Sequence, residues 1–244
     1  MKEPRVLVIG DIHGGYKALL QVLERANVTS NDMLIFLGDF VDGWSESPKV
    51  IDHLIELNQT NTCVFIKGNH DALALDWLKY EKSNPLWLFH GGQATLDAYK
   101  RETPAVIKKH VEFIEGLDDY FLDKESRLFL HAGFTNIRGI EHEYFNEMFY
   151  WDRSLWEMAL CLNPKLAKED PLYPDRLKLY REIYIGHTPT VRLGKTVPMQ
   201  AVNVWNMDTG AAFKGPLTIM DVHTKEFWQS DPLHELYYNE NGRN

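Results

Sequence analysis

Five short apolar runs in this sequence each give way to a glycine-containing turn that carries metal-type ligands. Val6–Ile9 leads into Gly10-Asp11-Ile12-His13-Gly14, Met33–Leu37 into Gly38-Asp39-Phe40-Val41-Asp42, and Cys63–Ile66 into Lys67-Gly68-Asn69-His70-Asp71. Leu128–Leu130 leads into His131-Ala132-Gly133, and Ile183–Ile185 into Gly186-His187-Thr188-Pro189. In an α/β sheet the carboxyl ends of strands are where ligands bind, and glycine lets the backbone turn sharply there. Asp11, His13, Asp39, Asn69, His131 and His187 offer oxygen and imidazole donors without a thiolate. That set suits Mn²⁺, Fe or Zn²⁺ rather than a Ca²⁺ cage, and two ions can share it. A buried, hydrogen-bonded polar residue is a fair account of any one position taken singly, but not of all six at strand ends.

The elements that must position these residues follow from the apolar pattern. The five runs read as strands buried on both faces, and helical patterns at Ala18–Ala26 and Pro48–Leu57 lie between the early ones, as in βαβ units. After residue 196 the runs Val202–Met207, Leu217–Val222 and Glu226–Gln229 sit close together with short turns between them, as hairpin-linked strands do. The expectation is an α/β chain with a mixed sheet system. The aromatic stretch 135–182, with Pro164, Pro171 and Pro174, reads as a helical insertion at the edge of the core. No repeat or Gly/Ser linker divides residues 1–244, so a single domain is expected.

Composition excludes several classes. With 244 residues, 44% of them hydrophobic, the chain can bury one sizeable core. A formal charge of −9 argues against an extended nucleic-acid surface but leaves room for a local anion pocket. Cys63 and Cys161 alone support neither a disulfide framework nor a cysteine zinc site. The apolar run after Met1–Arg5 is too short for a signal segment or a membrane span, which points to a soluble, cytoplasmic protein with no membrane partner.

The quoted stretches, in this order, resemble the phosphoprotein-phosphatase branch of the calcineurin-like metallophosphoesterases, whose signature runs GDIHG, GDxVDRG, GNHE/D, HAG and GHTP. Trp87–Leu96 and Met207–Ala211 are similar to elements of its bacterial serine/threonine phosphatase-like members. The likeness covers most of the chain except roughly 135–182, where only Trp151-Asp152-Arg153 matches. It implies two mixed β-sheets sandwiched between helices, with the metals at one end. It assigns Asp11 and His13 to one metal, Asn69, His131 and His187 to the other, and Asp39 as the bridge. A bridging carboxylate holds two ions at roughly 3.5–4 Å, and their joint charge lowers the pKa of a shared water. The resemblance makes His70 the proton donor to the leaving oxygen, oriented by Asp42. Pro189 stands where phosphodiesterase branches carry a second histidine, which points toward monoesters.

One position departs from the pattern. Gly43 stands where GDxVDRG has a phosphate-gripping arginine. Arg153, in the W-x-R element, is the favoured replacement and Lys67 a second substrate-binding candidate, with Arg101, Arg138 and Arg192 as further compensators. Arg153 could equally pair with Asp152 or Glu157. Asp71 reads as the N-cap of a helix over Ala72–Tyr80. Trp77, Trp87, Phe89, Phe149, Trp151 and Trp156 read mainly as core, with a base-stacking platform as the alternative. The leading function is a phosphomonoesterase, with phosphoserine or phosphothreonine in proteins as one substrate class. A symmetrical dinucleoside polyphosphate hydrolase is the alternative. A non-catalytic metal- or partner-binding module comes third, because a scaffold has no need of the His70–Asp42 pair.

Overall fold

The computed structural model describes residues 4–243. Met1–Glu3, the start of the segment read above as too short for a signal, lie outside the described residues. Among the described residues ten strands form two five-stranded sheets. They are β1 Val6–Ile9, β2 Met33–Phe36, β3 Thr62–Phe65, β4 Tyr120–Leu122, β5 Arg127–Leu130, β6 Glu182–Ile185, β7 Met199–Ala201, β8 Val204–Asn206, β9 Thr218–Asp221 and β10 Phe227–Gln229. The first sheet has the order β10-β9-β1-β2-β3 and the second β4-β5-β6-β8-β7. Both are mixed. β1, β2 and β3 run parallel, β9 is antiparallel to β1, and β10, antiparallel to β9, runs the same way as β1; β5, β6 and β8 run parallel with β4 and β7 antiparallel.

Helices α1 (Tyr16–Arg25) and α2 (Ser47–Leu57) make the crossovers β1–β2 and β2–β3. Between β3 and β4 come α3 (Asn69–Tyr80), α4 (Pro85–Trp87), a bent turn over Leu88–Gly92, α5 (Gln93–Tyr99) and α6 (Pro104–Glu115). Helices α7 (Met148–Trp151) and α8 (Ser154–Cys161) lie between β5 and β6, and α9 (Leu233–Leu236) follows β10. Among the described residues no helix is long and apolar enough to cross a membrane.

Strand alternation divides the core into layers. Leu7, Ile9, Leu34 and Phe36 join the cluster under α1 and α2. Val8 and Ile35, one residue out of phase, meet Phe129 and Tyr184 of the other sheet in a cluster between the sheets, where those two rings stack 4.7 Å apart. Leu128, Leu130, Ile183 and Ile185 turn outward onto Phe134, Phe149, Trp156 and Leu177 of the β5–β6 connection. The layers are helices, sheet, sheet, helices.

Three expectations change. β3 is half exposed rather than buried on both faces, because it closes an edge of its sheet. β4 and β7, of three residues each, carry too little pattern to read from sequence. β8 and β9 are not a hairpin pair: the turn between them crosses from the second sheet to the first, and each pairs with its own neighbour.

Arg5 ties the start of β1 to the α1–β2 turn. Its guanidinium donates to both Asp32 oxygens at 2.9 and 2.6 Å and to the carbonyls of Ala26 and Asn27. Burial pushes the Asp32 carboxyl up, but Arg5 and the Thr29 N–H outweigh it and hold Asp32 below its ordinary 3.8. A carboxyl that titrates lower folded than unfolded stabilises fully above the unfolded value and ceases to as pH falls through the folded one. Asp32→Asn is therefore expected to cost about 1.5–3 kcal/mol at neutral pH. Urea unfolding of parent and variant should show that gap close below pH 3.8.

Candidate active site

The turns that leave β1, β2, β3, β5 and β6 meet at one end of the paired sheets. Four of their residues sit in the left-handed region, His13 at φ 52°, Asp39 at 51°, Asp42 at 72° and His187 at 65°. Non-glycine residues there cost roughly 1–3 kcal/mol each and persist only where surrounding contacts hold them. The packing is close: a Cβ on Gly186 would lie 1.9 Å from Asp11 Oδ1, so the β6 turn reaches that carboxylate only as glycine.

All six candidate ligands come together. Asp11, His13 and Asp39 are buried, with one ligand atom of each within 4.8 Å of the others. Asp39 Oδ2 lies 3.5 Å from His13 Nε2 and 3.4 Å from His131 Nε2. Asn69 Oδ1 is 3.2 Å from His131 Nε2 and 2.9 Å from His187 Nδ1. The Nδ1 atoms of His13 and His131 lie 3.2 and 2.7 Å from the carbonyls of Val41 and Leu37, which turns each Nε2 inward as a metal ligand requires. Asp11 Oδ1 is buried without a hydrogen-bond partner among the described residues.

The electrostatics match a cation site. Burial, then the charge of Asp208, pushes the Asp11 carboxyl well above its usual range. Burial opposes ionisation of Asp39 as well, but His131 and His70 hold it well below. His131 is pulled down by burial and then driven up to about 10 by Asp39 and Asp11. Burial keeps His13 and His187 far below the usual imidazole value, hence neutral and able to ligate. Carboxylates crowded out of water around neutral imidazoles, with one oxygen left unpartnered, suit divalent cations.

Beside this cluster His70 Nδ1 lies 2.6 Å from Asp42 Oδ2, and the Trp87 indole N–H donates to the same oxygen at 2.7 Å. Asp71 differs from its expected place. Helix α3 begins at Asn69 with Gly68 as its cap, so Asp71 lies in the first turn. Its carboxylate accepts the N–H groups of Gly68, Asp39 and Phe40 at 2.9, 2.8 and 2.8 Å, and so locks the β2 turn to the β3 turn. Burial and then Asp39 push it up to about 8.

A cavity of about 480 Å³ opens on Asn69 and His70, with Trp87, Trp151, Arg153, Arg192 and Arg243 in its wall. Arg153 pairs with neither Asp152 nor Glu157. The Asp152 carboxylate instead accepts the N–H groups of Ser154 and Leu155. Burial, then the charges of Arg192 and Arg243, holds the Arg153 guanidinium below its ordinary value. Lys67 is turned to Asp119 at 3.3 Å and does not line the cavity, nor do Arg101 and Arg138. Of the aromatic candidates, Phe149 and Trp156 are core, Trp77 packs on Trp87 and Tyr99, and Trp87 and Trp151 face the cavity. Sequence reasoning missed Arg243, the indole contact of Trp87 and the buried carboxyl of Asp208, which burial pushes up to about 6. The stretches around Trp87 and Asp208 carry only a likeness to family elements, and nothing in the sequence near Arg243 marks it.

A family model for the calcineurin-like phosphoesterases matches residues 4–210. The chain belongs to that family. It is 28% identical over 239 residues to the asymmetrical bis(5'-nucleosyl)-tetraphosphatase PrpE of Geobacillus thermodenitrificans, covering 87% of this chain and 88% of that one. It is likewise 28% identical over 223 residues to serine/threonine-protein phosphatase 1 of Salmonella typhimurium, covering 88% and 90%. Among solved structures, a cold-active protein-tyrosine phosphatase from a psychrophilic Shewanella superposes with a TM-score of 0.59 at 13% identity, covering 95% of this chain and 83% of that one, which shows a shared fold.

Because Asp39 faces both halves of this calcineurin-like cluster, Asp39→Asn is expected to weaken Mn²⁺ binding more than replacement of any other single member. Metal titration checks it: two ions held as tightly as in the parent would show that Asp39 bridges nothing.

Proposed function

We propose that the chain is a dinuclear-metal-dependent hydrolase that cleaves the phosphate chain of a nucleoside polyphosphate, with dinucleoside tetraphosphates as the best-fitting class. The observation that carries this reading is the charge around the cavity. Arg153, Arg192 and Arg243 all line it, and among the described residues none of their guanidinium groups has an acidic partner. One phosphoryl group occupies one or two such forks, whereas a chain of phosphates occupies three. A second cavity of about 500 Å³ adjoins the first, shares His90, Arg192 and Arg243 with it, and adds Lys214 and Phe213. Cations thus run along the common wall, with Trp151 in one chamber and Phe213 in the other as faces on which a base can stack. The activity named for the Geobacillus relative supports the same substrate class.

In this reading Asp11 and His13 hold one ion, Asn69, His131 and His187 the other, and Asp39 both, with Mn²⁺, Fe and Zn²⁺ matching the donors. Such ions, when bound, supply positive charge against phosphoryl oxygens and acidify an attacking water. The protein's own groups do the rest. The arginines grip the remaining phosphate oxygens and orient the chain. As an imidazolium His70 donates Nδ1–H to Asp42 and carries on Nε2 the proton that passes to the departing oxygen, leaving a neutral ring, and Trp87 fixes the carboxylate that orients it.

A second reading, hydrolysis of phosphomonoesters including phosphoserine and phosphothreonine, is favoured by Pro189 after His187-Thr188 and by the equally similar Salmonella phosphatase. The two separate on assay with Mn²⁺. Diadenosine tetraphosphate is expected to show the higher kcat/KM, and the reverse order would restore the phosphoprotein reading. Chromatography of the products distinguishes off-centre cleavage, to a nucleoside triphosphate and monophosphate, from symmetrical cleavage to two diphosphates.

His70→Asn is expected to keep its metals yet lose about 10²–10⁴-fold on a phosphoserine peptide, whose basic alkoxide needs a proton. On p-nitrophenyl phosphate, with its stable phenolate, the loss should be far smaller. Equal losses with metal content intact would remove His70 as the acid.

A further inference from the structure

The segment after α9 is fastened back onto the turn that carries Asp39 and Asp42. Tyr237 stacks on Trp44 at 5.1 Å and donates its hydroxyl to Glu46 at 2.5 Å. Ser45 gives its N–H and hydroxyl to the Glu240 carboxylate at 3.0 and 2.7 Å. Arg243 donates its N–H to Ala212 O at 2.7 Å.

That last contact places Arg243 beside Gly43. A Cβ on Gly43 would meet nothing closer than 3.4 Å, and 3.8 Å away it would face Ala212 O, the carbonyl that holds Arg243. The space a side chain at position 43 would enter is open, but φ of +96° disfavours one there. Arg243 Cγ passes within 3.5 Å of the Cβ position of Gly91, whose carbonyl accepts the Gly43 N–H at 3.0 Å. The side chain then lines both cavities, and its Nε is buried without a hydrogen-bond partner among the described residues. Among the described residues no acid pairs with it; its guanidinium carbon lies over the Phe213 ring at 5.6 Å.

We propose that Arg243, delivered by the segment after α9 into the space beside Gly43, binds the phosphoryl group of the substrate. The assignment rests on the phosphoester-hydrolase reading of the site and deepens it. A half-buried guanidinium whose Nε is buried and unpartnered among the described residues is the fork that phosphate oxygens fill in pairs. Glu240 is then a positioning residue, acting only by holding the segment against Ser45.

The test compares inhibition by inorganic phosphate and by orthovanadate in the Mn²⁺-loaded parent, Arg243→Ala, Arg243→Lys and Glu240→Ala, alongside metal content and thermal unfolding. Loss of a charge-assisted contact predicts inhibition constants raised about ten- to a hundredfold in Arg243→Ala, with metal content and unfolding temperature at parental values. Arg243→Lys, which keeps the charge without the fork, should recover part of the loss, and Glu240→Ala should show a smaller loss of the same kind. Should Arg243→Ala fail to fold, the Lys and Glu240 variants carry the same comparison. Unchanged constants in a metal-replete Arg243 variant would overturn the assignment alone. Failure of phosphate and vanadate to inhibit an active parent, or hydrolysis of no phosphoester by the parent, would overturn the reading of the site and the assignment with it.

Discussion

Five carboxyl groups, Asp11, Asp39, Asp42, Asp71 and Asp208, are packed out of water at one end of the two sheets, each no more than 3% exposed. Gathering like charges in a low-dielectric interior is among the costliest things a fold can do, and much of the surrounding structure is the answer to it. Asp71 is held by three backbone N–H groups, and Asp208 by the N–H of Gly210. Asp39 is countered by His131 and His70. Asp11, with one oxygen bound to the His187 N–H and the other to nothing among the described residues, is the group for which the polypeptide supplies least. That imbalance is what suits the cluster to a cation rather than to a closed network of buried polar groups.

The sheets make the gathering possible. Because side chains alternate, Val8, Ile35, Phe129 and Tyr184 seal the two sheets against each other, and the parallel strands on either side then end at the same edge. Donors far apart in sequence, such as Asn69 and His187, separated by 118 residues, need no special trajectory to meet. Each sits one to four residues beyond a strand end, so the strand fixes its position and the turn needs only to aim it. The left-handed backbone at His13, Asp39 and His187 is that aiming, sustained by hydrogen bonds such as Asp71 to the Asp39 N–H.

This is also why the centre was legible in the sequence and its periphery was not. A ligand bound to the end of an apolar run inherits the strong signal of the run, and the layered α/β sandwich follows from the same runs. Residues whose place depends on tertiary contact carry no such signal. Lys67 precedes the β3 turn in sequence yet its side chain turns to Asp119. Arg243 reaches the cavity only because Tyr237 and Glu240 bind Trp44, Ser45 and Glu46, a contact between segments with no periodicity to read. β4 and β7 escaped because three residues cannot establish an alternation.

The β2–α2 turn therefore has two loads to carry. From inside, it presents Asp39 to the ligand cluster and Asp42 to His70, and both residues hold left-handed backbone conformations. From outside, Trp44, Ser45 and Glu46 anchor the segment after α9. The residue between the two loads is Gly43, itself at φ +96°, where a side chain would add strain to a turn already strained at its neighbours. Bringing a guanidinium in on a separate segment avoids that conflict, and it makes the geometry of the ligand turn and the position of the cation depend on the same set of contacts. The contacts at Trp44, Ser45 and Glu46 thus set where the cation stands relative to the carboxylates.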